Sequence, residues 1–117
     1  MSSGNSTASG TSADPRVLEL AGKLSYGPEC EEIFRALCAE MGRGARDFVL
    51  DLSQVPDINS AGIGFLVECL AAVRRTGGRL ILAAPQNRIR HALLTTRLDT
   101  VFPMFETVDA ALTSQRA

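Results

Sequence analysis

The stretch DFVLDLSQVPDINSAGIGFLVECLAAVRRTGG, residues 47–78, decides the fold. Phe48, Val49 and Leu50 form a compact apolar run, too short for a helix and without alternation. Such a run reads as a central strand covered on both faces. Asp51 to Asn59 reads as the loop behind it, and a helix follows over about Ala61–Arg75. Ile63, Leu66, Val67 and Leu70 recur at helical spacing and predict its inner face. Arg74 and Arg75 suit the negative end of its dipole, and Gly77-Gly78 stops it.

The same alternation continues outward in both directions. Upstream, Val17, Leu18 and Leu20 make a short strand ended by Gly22. Pro28 then opens a helix whose apolar stripe is Cys30, Ile33, Phe34, Leu37, Cys38 and Met41, with Glu29, Glu31 and Glu32 at its positive end and Gly42 and Gly44 closing it. Downstream, Leu80 to Leu82 form a third buried strand, and Pro85 to Thr96 a turn leading into a helix with Ile89, Ala92 and Leu93 inside. Val101 to Phe105 reads as an edge element, because Pro103 has no N–H to give a ladder. A last helix starts near Thr107 on Val108, Ala111 and Leu112. Strands alternating with helices through short loops predict an α/β fold: one mainly parallel sheet of about four strands, flanked by about four helices. Functional loops in such folds lie beyond the C-terminal ends of the strands, where Asp51 to Asn59 falls.

With 117 residues, 45% hydrophobic and 21% charged, the chain suits one domain with one core. Residues 1–14 carry no large apolar side chain beyond Met1 and read as a disordered tail, leaving 15–117 as the domain. A net charge of -1, no Trp and one Tyr argue against a nucleic-acid binder, which needs a basic face or stacking aromatics. Cys30, Cys38 and Cys69 are an odd number without metal-ligand or disulfide spacing and suit a reducing cytoplasm. No stretch has the length of a membrane span and the N-terminus lacks the order of a signal peptide, so a cytoplasmic location is expected.

Within DLSQVPDINSAGIG, residues 51–64, Ser60 stands immediately before the second helix, where its hydroxyl would accept a bond from a free N–H of the first turn. Gly62 and Gly64 suit close approach of another backbone or packing on the sheet. Ile58 and Ile63 either anchor the loop to the core or offer an apolar contact to a partner.

A strand ending in Asp-Leu-Ser, an apolar loop, then polar residue, Ser, small residue, Gly, apolar residue, Gly entering a helix resembles the phosphorylation motif of the STAS family (sulphate transporter and anti-sigma factor antagonist), commonly D-S-S-G-L-G. The resemblance runs from Arg16 to about Leu112, with Ala21-Gly22-Lys23-Leu24 similar to the family's turn after its early strand. It implies a bacterial anti-sigma factor antagonist that works by partner switching: it binds an anti-sigma factor that is also a serine kinase, and phosphorylation at Ser60 discharges it. The partner-binding segment is then Asp57, Ile58, Asn59, Ser60, Ala61, Gly62, Ile63 and Gly64, with a phosphatase as a further partner and the chain a monomer or weak dimer. A phosphate at Ser60 adds about -1.5 to -2 charges and meets helix N–H groups and a favourable dipole. Asn59 stands where the family carries an acidic residue, and Ser25 where it carries Asp. Those departures motivate the alternative of an unphosphorylated adaptor or scaffold in a signalling or transport assembly.

No cofactor, metal site or catalytic residue is expected, since the chain shows no P-loop, nucleophile elbow or HExxH. Cys30 near a helix start has two readings, a reactive phosphoryl-carrier or redox thiol, or a small core hydrophobe. His91 lacks a motif partner and reads as a surface residue. Arg88, Arg90 and Arg97 read as a solvated face or a holder of phosphate or of an acidic partner surface.

Overall fold

The computed structural model describes residues 15–116, so the stretch 1–14 expected to be a disordered tail lies outside the described residues. The elements in chain order are β1 (Arg16–Ala21), α1 (Pro28–Gly42), β2 (Asp47–Gln54), α2 (Ser60–Arg75), β3 (Arg79–Ala83), α3 (Asn87–Thr95), a 3-10 turn at Leu98–Thr100, β4 (Met104–Phe105) and α4 (Val108–Arg116). Four strands form one sheet in the order β1-β2-β3-β4, and all three pairings are parallel. The expected α/β class, strand number and helix number hold.

The pleat explains the layers. Phe48, Leu50 and Leu52 of β2 and Leu80 and Leu82 of β3 join the main core with Leu37 of α1, Phe65 and Leu66 of α2, and Ile89 and Leu93 of α3. The alternate residues Val49, Ile81 and Ala83 meet Ala111 of α4 in a second cluster. The central strands are thus buried on both faces, as the unbroken apolar run predicts. Phe48, Phe65 and Phe102 are almost wholly enclosed, each such burial being worth roughly 1.5–3 kcal/mol.

Several boundaries differ from expectation. Asp51 to Gln54 belong to β2, not to a loop. The register shifts there, Glu19 pairing with Asp51 but Ala21 with Gln54, so β2 carries an extra residue and bends as it leaves the sheet. The inner face of α2 is Phe65, Leu66, Cys69, Leu70 and Val73, whereas Val67 points outward and is 40% exposed. Cys38 lies on the exposed side of α1, although Cys30 and Leu37 are buried as the stripe requires. Val101 and Phe102 stay out of the sheet; Met104 and Phe105 pair with β3 at its edge, and the Pro103 carbonyl accepts the Leu82 N–H at 2.9 Å. At the start of β3, Gly78 lies so close to the Arg46 carbonyl that a Cβ would overlap it.

Candidate functional site

The site is built where β1 and β2 leave the sheet. The Gly22 N–H donates to the Gln54 carbonyl at 3.0 Å, the Leu24 N–H to the Asp57 carbonyl at 2.9 Å, and the Asn59 N–H back to the Leu24 carbonyl at 3.2 Å. Leu24 and Ile58 thereby form an isolated parallel bridge that stitches the β1–α1 loop to the segment before α2. The third strand's loop joins from the other side: Gln86 Nε2 donates to the Ser53 carbonyl at 3.0 Å, and Arg88 Nη1 lies 3.7 Å from Asp57 Oδ2.

The cap of α2 is Asn59, not Ser60. Asn59 has extended backbone, and its Oδ1 accepts the Gly62 N–H at 2.9 Å. Ser60 is one residue further along, the first residue of the helix proper, and is exposed. The expectation fails because Asn and Ser cap about equally well, and two adjacent candidates cannot be ordered by residue type alone. Asn59→Ala should therefore cost about 1 kcal/mol, whereas Ser60→Ala should stay within about 0.5 kcal/mol of the parent, both read from urea melts.

The eight residues expected to meet a partner divide by position. Asn59, Ser60, Ala61 and Gly64 are exposed; Asp57, Ile58 and Ile63 are half-buried; Gly62 is buried. Ile58 packs against the main core, so it anchors the loop. Gly62 serves close approach, since a Cβ there would lie 2.1 Å from the Leu24 carbonyl oxygen, while Gly64 has open space around it. Of the two uses expected of these glycines, close approach of another backbone or packing on the sheet, Gly62 meets the Leu24 backbone and Gly64 meets nothing within 4 Å.

Sequence reasoning missed Tyr26. Its ring stands edge-on to Phe65, centroids 6.4 Å apart, yet the residue is 51% exposed. The Glu68 carboxylate, with a smaller contribution from Glu31, pushes its phenol above the ordinary tyrosine range. The available signal was a lone aromatic in the loop before α1.

The thiols also separate. Cys30 is buried, its Sγ 3.2 Å from the Ser25 carbonyl, and burial pushes it up; Cys69 is pushed up to about 12, again by burial first. A thiolate carrier needs the opposite. A maleimide reagent at pH 8 should thus label Cys38 quickly and Cys30 and Cys69 only on unfolding; fast labelling of Cys30 in the folded protein would restore the carrier reading. His91 is exposed, Arg90 lies 3.9 Å from Glu106, and Arg97 adopts left-handed backbone before the 3-10 turn. Among the described residues no three His, Cys, Asp or Glu side chains are grouped to hold a metal ion, and no helix is long and apolar enough to cross a membrane.

The class of the fold is a four-stranded parallel α/β sheet with the loops after β1, β2 and β3 gathered around the start of α2. The chain belongs to the STAS domain family, whose model matches residues 9–111. A Thermotoga neapolitana protein named "Putative anti-sigma factor antagonist TM1081 homolog" is 32% identical over 72 residues, which cover 62% of this chain and 64% of that protein. The anti-sigma factor antagonist SpoIIAA, solved in its unphosphorylated form, has the same fold: TM-score 0.74, 19% identity, 89% of this chain and 90% of that one. So does the STAS domain of a SulP transporter from Vibrio cholerae: TM-score 0.74, 17% identity, covering 86% and 80% respectively.

Proposed function

We propose that this chain is an anti-sigma factor antagonist acting by partner switching: its surface around Ser60 binds an anti-sigma factor that is also a serine kinase, phosphorylation of Ser60 releases the complex, and a phosphatase resets it. The observation that supports this best is the division of labour at the start of α2. Asn59 holds the cap, so the Ser60 hydroxyl is exposed and its modification takes no bond from the fold. Free N–H groups of a helix's first turn and its dipole favour an anion there. Ala61 and Gly64 beside it are small and exposed, which leaves the Ser60 surface open to a partner.

The test is reconstitution with the anti-sigma factor kinase of the same organism and ATP, followed by peptide mapping. Phosphate on Ser60, absent in Ser60→Ala, supports the proposal; tight binding with no phosphate transferred contradicts its switching half. Asn59, in place of the acidic residue, favours a second reading, a constitutive adaptor of a signalling or transport assembly. That reading requires partner capture to be indifferent to the chemistry at position 60.

A further inference from the structure

We propose that Arg88 is the internal receptor for a phosphoryl group on Ser60, exchanging Asp57 for the phosphate when the serine is modified. The inference rests on Ser60 being the modified residue and adds what the fold does with the charge. From Asp51 to Gly64 the chain carries two carboxylates, Asp51 and Asp57, and no Lys or Arg. A dianion arriving at Ser60, three residues from Asp57, therefore needs a cation from another element.

Arg88 is the cation that the structure brings to this segment through an ion pair. Its Nη1 is 3.7 Å from Asp57 Oδ2, with the Arg88 side chain 75% and the Asp57 side chain 41% exposed. A surface pair this open is weakly held, because water screens both charges and the long side chain keeps its freedom. Of the two, the carboxylate is fixed, since its Oδ1 accepts the Ile58 N–H at 2.9 Å. The guanidinium is the member free to move. The bond from Gln86 to the Ser53 carbonyl fastens the start of α3 two residues away, so Arg88 swings from an anchored base. A phosphate offers a guanidinium two charge-assisted bonds and more charge than a carboxylate. Other charged residues on the elements beside the segment include Glu19 of β1, paired with Asp51, Lys23, exposed in the loop stitched to it, and Glu68, two turns along α2 from Ser60. Arg90 is already turned toward Glu106.

In this arrangement phosphorylation changes the surface twice, adding negative charge at Ser60 and drawing in the positive charge of Arg88. The experiment places phosphoserine at position 60 by genetic encoding, which needs no kinase and so succeeds or fails apart from the partner-switching reading. The second ionisation of the phosphate is followed by 31P NMR. With Arg88 present it should titrate below the ordinary value of about 6. Arg88→Gln should raise the midpoint by about half a unit, and Arg88→Lys, which keeps the charge but not the fork, should recover part of it. Lys23→Gln should leave the midpoint in place. Unchanged titration in Arg88→Gln, with the amide spectrum showing a folded protein, overturns the proposal, as does a shift produced by Lys23→Gln instead.

Discussion

Ser60→Asp is expected to weaken binding of the anti-sigma factor partner by about a hundredfold, or about 2.7 kcal/mol, with phosphoserine at the same position weakening it further. Ser60 is exposed, and its neighbours Ala61 and Gly64 offer no bulk to hold a partner at a distance, so a charge there is enclosed as the complex forms. Enclosing a charge without a matched partner, or opposite a like charge, costs several kcal/mol. The folded domain should be indifferent to the same change. An acidic residue in the first turn suits the helix dipole, and the cap comes from Asn59. Calorimetric titration should therefore show lost affinity with an unchanged melting temperature, while Ser60→Ala binds within about threefold of the parent, or about 0.7 kcal/mol. Equal affinity for the Ser60→Asp and Ser60→Ala variants would favour the constitutive adaptor.

Gly62→Ala should destabilise the fold by about 3 kcal/mol, while Gly64→Ala, two residues on, should be neutral or stabilising by up to about 1 kcal/mol. At Gly62 the added methyl carbon would lie 2.1 Å from the Leu24 carbonyl oxygen, 2.7 Å from its carbon and 2.9 Å from Ile58 Cγ1. Two of those atoms are backbone, in the bridge that joins the β1–α1 loop to the segment before α2, so relief requires breaking the stitch. At Gly64 nothing lies within 4 Å, and alanine simply gains helix propensity. Urea melts of the two variants should fall on opposite sides of the parent or nearly so. Equal stability would mean that the loops do not meet as closely as the structure has them.

The fold was legible because its signals are periodic and local. Unbroken apolar runs at Phe48–Leu50 and Leu80–Leu82 mark strands covered twice, and Pro28 and Gly77 mark a helix start and stop. The phase of α2 was read less well, because Ile63 and Val67 are as apolar as the residues that are buried; Phe65 and Cys69 take the inner face instead. Which of two adjacent polar residues caps α2 depends on where the chain turns, which in turn depends on the Leu24–Ile58 bridge, a contact between residues far apart in sequence. The same long-range stitch gives Gly62 its constraint and leaves Gly64 without one, though the motif presents them alike. Ser60 is read from its place in a motif and Arg88 as a candidate holder of phosphate or of an acidic surface; that Arg88 meets Asp57 depends on how α3 docks beside the segment before α2, which no local spacing records.

The most direct test of Ser60 as a switch is intact-protein mass spectrometry of the chain from its native cells, in resting and stressed growth, with peptide mapping of any heavier species. A species heavier by about 80 Da, one phosphoryl group, mapped to Ser60 and changing in proportion between the two conditions, is the predicted result. A single unmodified mass in both conditions, with the partner still bound, would contradict it.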